Sequence, residues 1–221
     1  MLLVYLLLLV LFLTGAHLYP RYVIRSGKKA LYEGRFDSAI AWLQKGHDED
    51  AKVLLQEAYL SRGQSFLNAG NYSAAADDFE RAGYEAVDEE TLSRLWIGIA
   101  QEKMSEGHYA EAKRYLERTQ SAHQFQSLLI ECNYHLAEAA YSSGDSAKAI
   151  LLLSENGQDE VSKQLSLQIR VEKAKSLYAA EEYDACESLV LLLMDEGADV
   201  QDIYLELVRR KDTERFENAT E

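Results

Sequence analysis

Beyond residue 20 the apolar and small positions of this chain repeat with a long period. Gly34, Gly70, Gly107 and Gly144 are separated by 36, 37 and 37 residues, and each stands five residues before an alanine: Ala39, Ala75, Ala112 or Ala149. Two residues after each glycine comes Phe36, Tyr72, Tyr109 or Ser146, and a fifth copy keeps the phase with Glu181, Tyr183 and Cys186 in the three slots. Twelve residues before the alanine slot lies a small residue: Gly27, Gly63, Ala100, Ala137 or Ala174. Four after it lies a large apolar one: Leu43, Phe79, Leu116, Leu153 or Val190. Self-similarity at a fixed period of this length is the mark of a repeat architecture.

The chemistry of these slots reads as helix hairpins. Small residues on two successive helices let their axes approach closely, and the large residue fills the space between them. The glycine ends the first helix in a left-handed conformation, and the aromatic packs the turn. First helices are expected at 22–33, 50–69, 89–106, 123–143 and 159–180, and second helices at 37–46, 73–82, 110–119, 146–154 and 184–195. The only proline, Pro20, suits the start of the first of these helices, where its missing N–H is not needed. After Gly197, Val200, Ile203, Tyr204, Leu207 and Val208 share one helical face, so 198–211 is expected to cap the array and 212–221 to be a frayed polar tail.

The run Gly70-Asn71-Tyr72-Ser73-Ala74-Ala75-Ala76-Asp77-Asp78-Phe79, with Gly63 before it and Ala82 after it, resembles the tetratricopeptide repeat family, and the resemblance extends over about residues 22–197. It implies an all-α fold: a right-handed superhelical solenoid of about five hairpins with a C-terminal capping helix. It further implies that the first helices line a concave side that holds an extended peptide or a partner helix. Two departures stand out. The period exceeds the family's usual length of about 34 residues, and no proline follows any second helix. The extra residues, as in the stretch from Gly83 to Asp88, are expected to lengthen the next first helix or its loop.

Ahead of the array, Leu2–Leu13 is unbroken apolar sequence, extended without formal charge to Pro20. Eighteen or nineteen helical residues would cover roughly 28 Å, close to the ~30 Å of bilayer hydrocarbon. Residues 1–20 are therefore expected to form one N-terminal hydrophobic helix, a single-pass membrane anchor. Tyr19 and Tyr22 suit the interface, and Arg21, Arg25, Lys28 and Lys29 place residues 21–197 on the cytoplasmic side. A cleaved signal peptide ending near Thr14 and Ala16 is the alternative, and it would put the array outside the cytoplasm.

Candidate binding residues come from the first helices. Eight residues before the alanine slot stand Leu31, Leu67, Met104, Tyr141 and Tyr178, and seven before those stand Ile24, Leu60, Ile97, Tyr134 and Val171, two turns away on the same face. Leu67, Gln101, Met104, Tyr134, Tyr141 and Tyr178 are the candidate partner-binding residues. The tyrosines would offer both area and a hydroxyl. The other reading of the same stripe is packing between repeats. Lys28, Gln64, Gln101, Glu138 and Lys175 lie between the two rows and do not resemble the Lys/Asn clamp by which some family members hold a peptide carboxylate.

Charge and composition narrow the function classes. A formal charge of −14 argues against nucleic acid, whose phosphates are bound by clustered Lys and Arg. The same charge would keep the array soluble or select basic partners. Cys132, His135 and His123 sit on one expected helix at intervals that cannot close a metal tetrahedron. The adjacent acids Asp77-Asp78 and Glu89-Glu90 read as solvated charges. No phosphate-cradling glycine loop or nucleophile elbow occurs. The expectation is a membrane-tethered protein-binding scaffold without cofactor, metal or catalysis. The alternative is an assembly factor of a membrane complex that uses its convex face or terminal helix.

Overall fold

A computed structural model describes residues 19–119 and 125–218. Among these residues the regular structure is helical throughout, with no strand. The expected anchor over 1–20 lies outside the described residues except for Tyr19 and Pro20. Among the described residues no helix is long and apolar enough to cross a membrane.

The chain divides into two compact units, Met1–Lys103 with Tyr115–Ser121, and Met104–Arg114 with Ala122–Glu221. The first unit holds α1 (residues 19–32), α2 (Phe36–Leu43), α3 (Glu49–Asn68), α4 (Tyr72–Ala82), a single 3-10 turn at Tyr84–Ala86 and most of α5 (Glu89–Ser105). Its two apolar clusters centre on Ala39, Leu43 and Ala58, and on Leu67, Ala75, Phe79 and Leu95. The small and large slots meet as the pattern requires. A Cβ added to Gly27 would stand 2.5 Å from Leu43 Cγ, and one added to Gly63 would stand 2.7 Å from Phe79 Cε1. The extra residues after α4 form the 3-10 turn, and Tyr84 lays its ring 5.3 Å from Trp96.

The second unit holds most of α6 (Tyr109–Leu116), with α7 (Gln126–Ser142), α8 (Ser146–Ser154), α9 (Glu160–Ala179), α10 (Tyr183–Asp195) and α11 (Gln201–Asn218). Ala137, Ala149, Leu153 and Ile169 make one cluster, and Ala174, Cys186, Val190, Leu193 and Leu207 another. Each first helix ends in the left-handed turn its sequence calls for. Gly144 has φ 89°, and the N–H after it donates to Ala140 five residues back. The fifth copy makes the same turn without glycine: Glu181 has φ 62°, and Glu182 N donates to Leu177 O. L side chains crowd the backbone in that region, so the glutamate adopts it at an energetic cost.

Two second helices stop earlier than the periodicity predicts, α2 at Leu43 and α6 at Leu116. In α6 the buried Thr119 explains it, since its hydroxyl donates to Leu116 O at 2.7 Å and satisfies a terminal carbonyl. At the other end of the chain α11 runs on to Asn218, where a frayed tail from 212 was expected. No glycine or proline interrupts that stretch, and Arg215 and Asp212 pair one turn apart.

Candidate functional site

The six candidate residues fall into different environments. In the first unit Leu67 is only 4% exposed and belongs to the cluster of Phe79 and Leu95, while Gln101 is exposed on α5. The other four belong to the second unit, and all are half-buried: Met104 near the end of α5, Tyr134 and Tyr141 on α7, and Tyr178 on α9. Tyr134 and Tyr141 rest against the cluster of Ala137, Ala149 and Leu153. Tyr178 rests against that of Cys186 and Val190 and meets Tyr183 edge-on at 5.5 Å. These tyrosines thus support the cores and also keep part of each ring at the surface.

Local charge tunes the hydroxyls. Burial, and then Glu138, push the Tyr134 phenol above its ordinary pKa, and burial with Glu206 does the same for Tyr178. Glu138 and Lys175, from the row between the tyrosines, are exposed and are held by neighbours on their own helices, His135 at 3.1 Å and Glu172 at 2.9 Å. On another side of α9 a cleft of about 450 Å³ is lined by Ser162, Lys163, Ser166, Leu167, Arg170 and Glu196, with Arg170 hydrogen-bonded to Glu196.

Several polar contacts were not visible in the repeat pattern. Asp78 is one correction: far from being solvated, it is 2% exposed and accepts from Arg62 through both oxygens, at 2.6 and 2.7 Å. Arg62 also bonds Asp37, so its guanidinium ties α3 to both α2 and α4. A second group is buried amides. Asn133 Nδ2 donates to Asn156 Oδ1 at 2.8 Å, and Asn156 Nδ2 donates to Ser162 Oγ at 2.8 Å and Ile130 O at 3.1 Å. A register already present in the sequence marks the change. Sixteen residues before the alanine slot stand Val23, Tyr59 and Trp96, then Asn133 and Arg170, so an apolar position turns polar in the last two copies.

The turn aromatics also reach further than the turn. Tyr72 lies where a Cβ on Gly98 would come within 2.1 Å of its ring, and Tyr109 stacks on His135 at 4.2 Å. Both contacts span 26 residues, from a second helix to the following first helix. His135 is thereby a stacking partner, and the neighbouring Cys132 is fully buried, its thiol pushed up to about 11 by burial. Among the described residues no group of three or more His, Cys, Asp or Glu is placed to hold a metal ion. In comparison with known proteins, the chain matches no family model and no curated protein.

Proposed function

We propose that the chain is a protein-binding scaffold of tetratricopeptide type, tethered to a membrane through residues 1–20, and that the α7 and α9 face of the second unit holds a protein segment. The observation that carries this is the partial exposure of Met104, Tyr141 and Tyr178 in one register of three successive first helices, with Tyr134 two turns before Tyr141 on the same face. Rigid aromatic rings that are already packed on one side lose little further entropy on binding, which is what a recognition surface needs. Exposed Glu138 and Lys175 offer charges of both signs beside the rings. Hairpins stacked in register would curve into the solenoid that the repeat implies, with this face on the concave side.

Selection from a random-peptide library displayed on phage tests the reading without knowledge of the partner. The expected result is enrichment of peptides whose binding slows amide exchange in α7 and α9 and is lost in the Tyr141→Ser/Tyr178→Ser variant with its helicity retained. Enriched peptides that protect other helices, or binding unchanged in the double variant, would contradict it.

A second reading has its own support. Leu151 on α8 and Leu192 on α10 are 63% and 59% exposed, and α11 exposes Leu205, Val208 and Phe216. Apolar side chains exposed on second helices and on the terminal helix are the surface an assembly factor would use.

A further inference from the structure

The exposed side of α1 differs in charge from the rest of the chain. Arg21, Tyr22, Arg25, Lys28, Lys29 and Tyr32 are all exposed, and at 3.6 residues per turn they fall within about 120° of the helix circumference. The opposite side is the core-facing one, with Val23, Ala30 and Leu31 buried. Four cations and two tyrosines therefore share a face without an acid, in a chain of formal charge −14. Glu33, the first acidic residue, lies at the end of the face and is paired with Lys29 and Arg35. α2 extends the surface: Tyr22 meets Trp42 edge-on at 5.5 Å, and Lys45 Nζ sits 4.5 Å from the Trp42 ring centre.

Aromatic rings interleaved with cations match the boundary of a bilayer, where amphipathic rings sit at headgroup level and Lys and Arg meet anionic lipid. The sequence immediately before α1 points to the same occupant, because residues 1–18 contain no Asp, Glu, Lys or Arg and include the apolar run Leu2–Leu13. We infer that the α1–α2 hairpin lies against the membrane surface through Arg21, Tyr22, Arg25, Lys28, Lys29, Trp42 and Lys45, and that this face binds anionic lipid headgroups. The inference rests on the membrane tether proposed above. It adds that the first hairpin is itself a lipid-binding element, which would hold the start of the array against the bilayer instead of on a free stalk.

The full chain, reconstituted into vesicles of neutral phosphatidylcholine or of the same lipid with phosphatidylglycerol, tests this by amine acetylation read residue by residue. Lys28 and Lys29 are expected to react about fivefold more slowly in the anionic vesicles, the factor that one charge near such a surface is worth. Lys163 and Lys173, exposed in the other unit, serve as unchanged controls. High salt and the exposed-site variant Arg21→Gln/Arg25→Gln should each reduce the protection. Equal rates in both vesicles, as expected if the face binds an acidic protein instead, would overturn the inference. Flotation separates it from the tether. Failure to float with neutral vesicles sinks the tether alone if anionic vesicles still bind and protect Lys28 and Lys29, and failure with both sinks the lipid face as well.

Discussion

Gly63 on α3 lies against the ring of Phe79 on α4, so closely that a Cβ at residue 63 would stand 2.7 and 2.9 Å from two ring carbons. Phe79 is 1% exposed and cannot swing away without opening the core. Alanine at 63 would gain about 1 kcal/mol of helix propensity, but overpacking a closed core costs about 1–3 kcal/mol. Gly63→Ala should therefore lower stability by about 1 kcal/mol in urea unfolding. The double variant Gly63→Ala/Phe79→Leu should be more stable than the sum of the single effects allows. Additive losses would show that the two residues do not meet.

Glu181 gives the opposite sign. Its φ of 62° is the conformation that glycine supplies in the four earlier copies of the turn, and its side chain is exposed. Glu181→Gly relieves the left-handed strain and loses no packing, so the protein should gain about 1 kcal/mol. A lower denaturation midpoint would mean that the turn is not left-handed in solution.

How much of this could be read in the sequence depends on whether the determinant was periodic. Helix limits, the turn slot and the small-to-large contacts recur at every repeat, so the pattern located α3, α5 and α8 to within a residue or two. The phase also puts the fifth turn at Glu181, where no glycine marks it. Contacts that occur once left no such trace. Arg62 bridges Asp37 and Asp78 across 25 and 16 residues, and no neighbouring repeat carries the same triad. Asp78 looked like half of a surface acid pair because adjacent residues on a helix point different ways, and only the fold shows that one of those directions is inward. The candidate site was legible as a stripe of side chains. The depth to which each is covered was not, and Leu67 and Gln101 show the range.

The ion pair at Asp78 makes a two-step prediction. Arg62→Met leaves a carboxylate buried without its partner, and losses of that kind run to about 3–5 kcal/mol. Adding Asp78→Leu removes the orphaned charge, so the double variant should recover most of the stability, measured by denaturant titration. If Arg62→Met alone is neutral, Asp78 is reaching solvent.

The buried amides behave similarly. Asn156→Ala deprives Asn133 and Ser162 of their shared partner and should cost about 2–3 kcal/mol, because each polar group left behind remains desolvated. Native-state hydrogen exchange should then show faster opening of α7 and α9 than of α3, which belongs to the other unit.

Acid should weaken the helix starts at Asp88 and Asp159. Each carboxylate accepts an N–H at the first turn of its helix, from Thr91 at 2.9 Å and Ser162 at 2.8 Å, and this hydrogen bonding holds its pKa below the usual carboxylate range. Glu196 is shifted in the same direction by Arg170. A depressed folded pKa gives stability that is complete above the unfolded value and disappears as pH falls through the folded one. Thermal stability should be level down to the ordinary carboxylate range and decline below it. Asp88→Asn and Asp159→Asn, which keep a cap without the titration, should flatten that decline.

Methyl-to-methyl NOEs test the interlocked hairpins most directly, at the pairs sixteen residues apart. The Ala137 methyl should show cross-peaks to Leu153 and the Ala174 methyl to Val190, each pair lying in one buried cluster. If those alanine methyls contact only residues of their own helices, the small and large slots do not interlock, and the stacked-hairpin account with its binding face is contradicted.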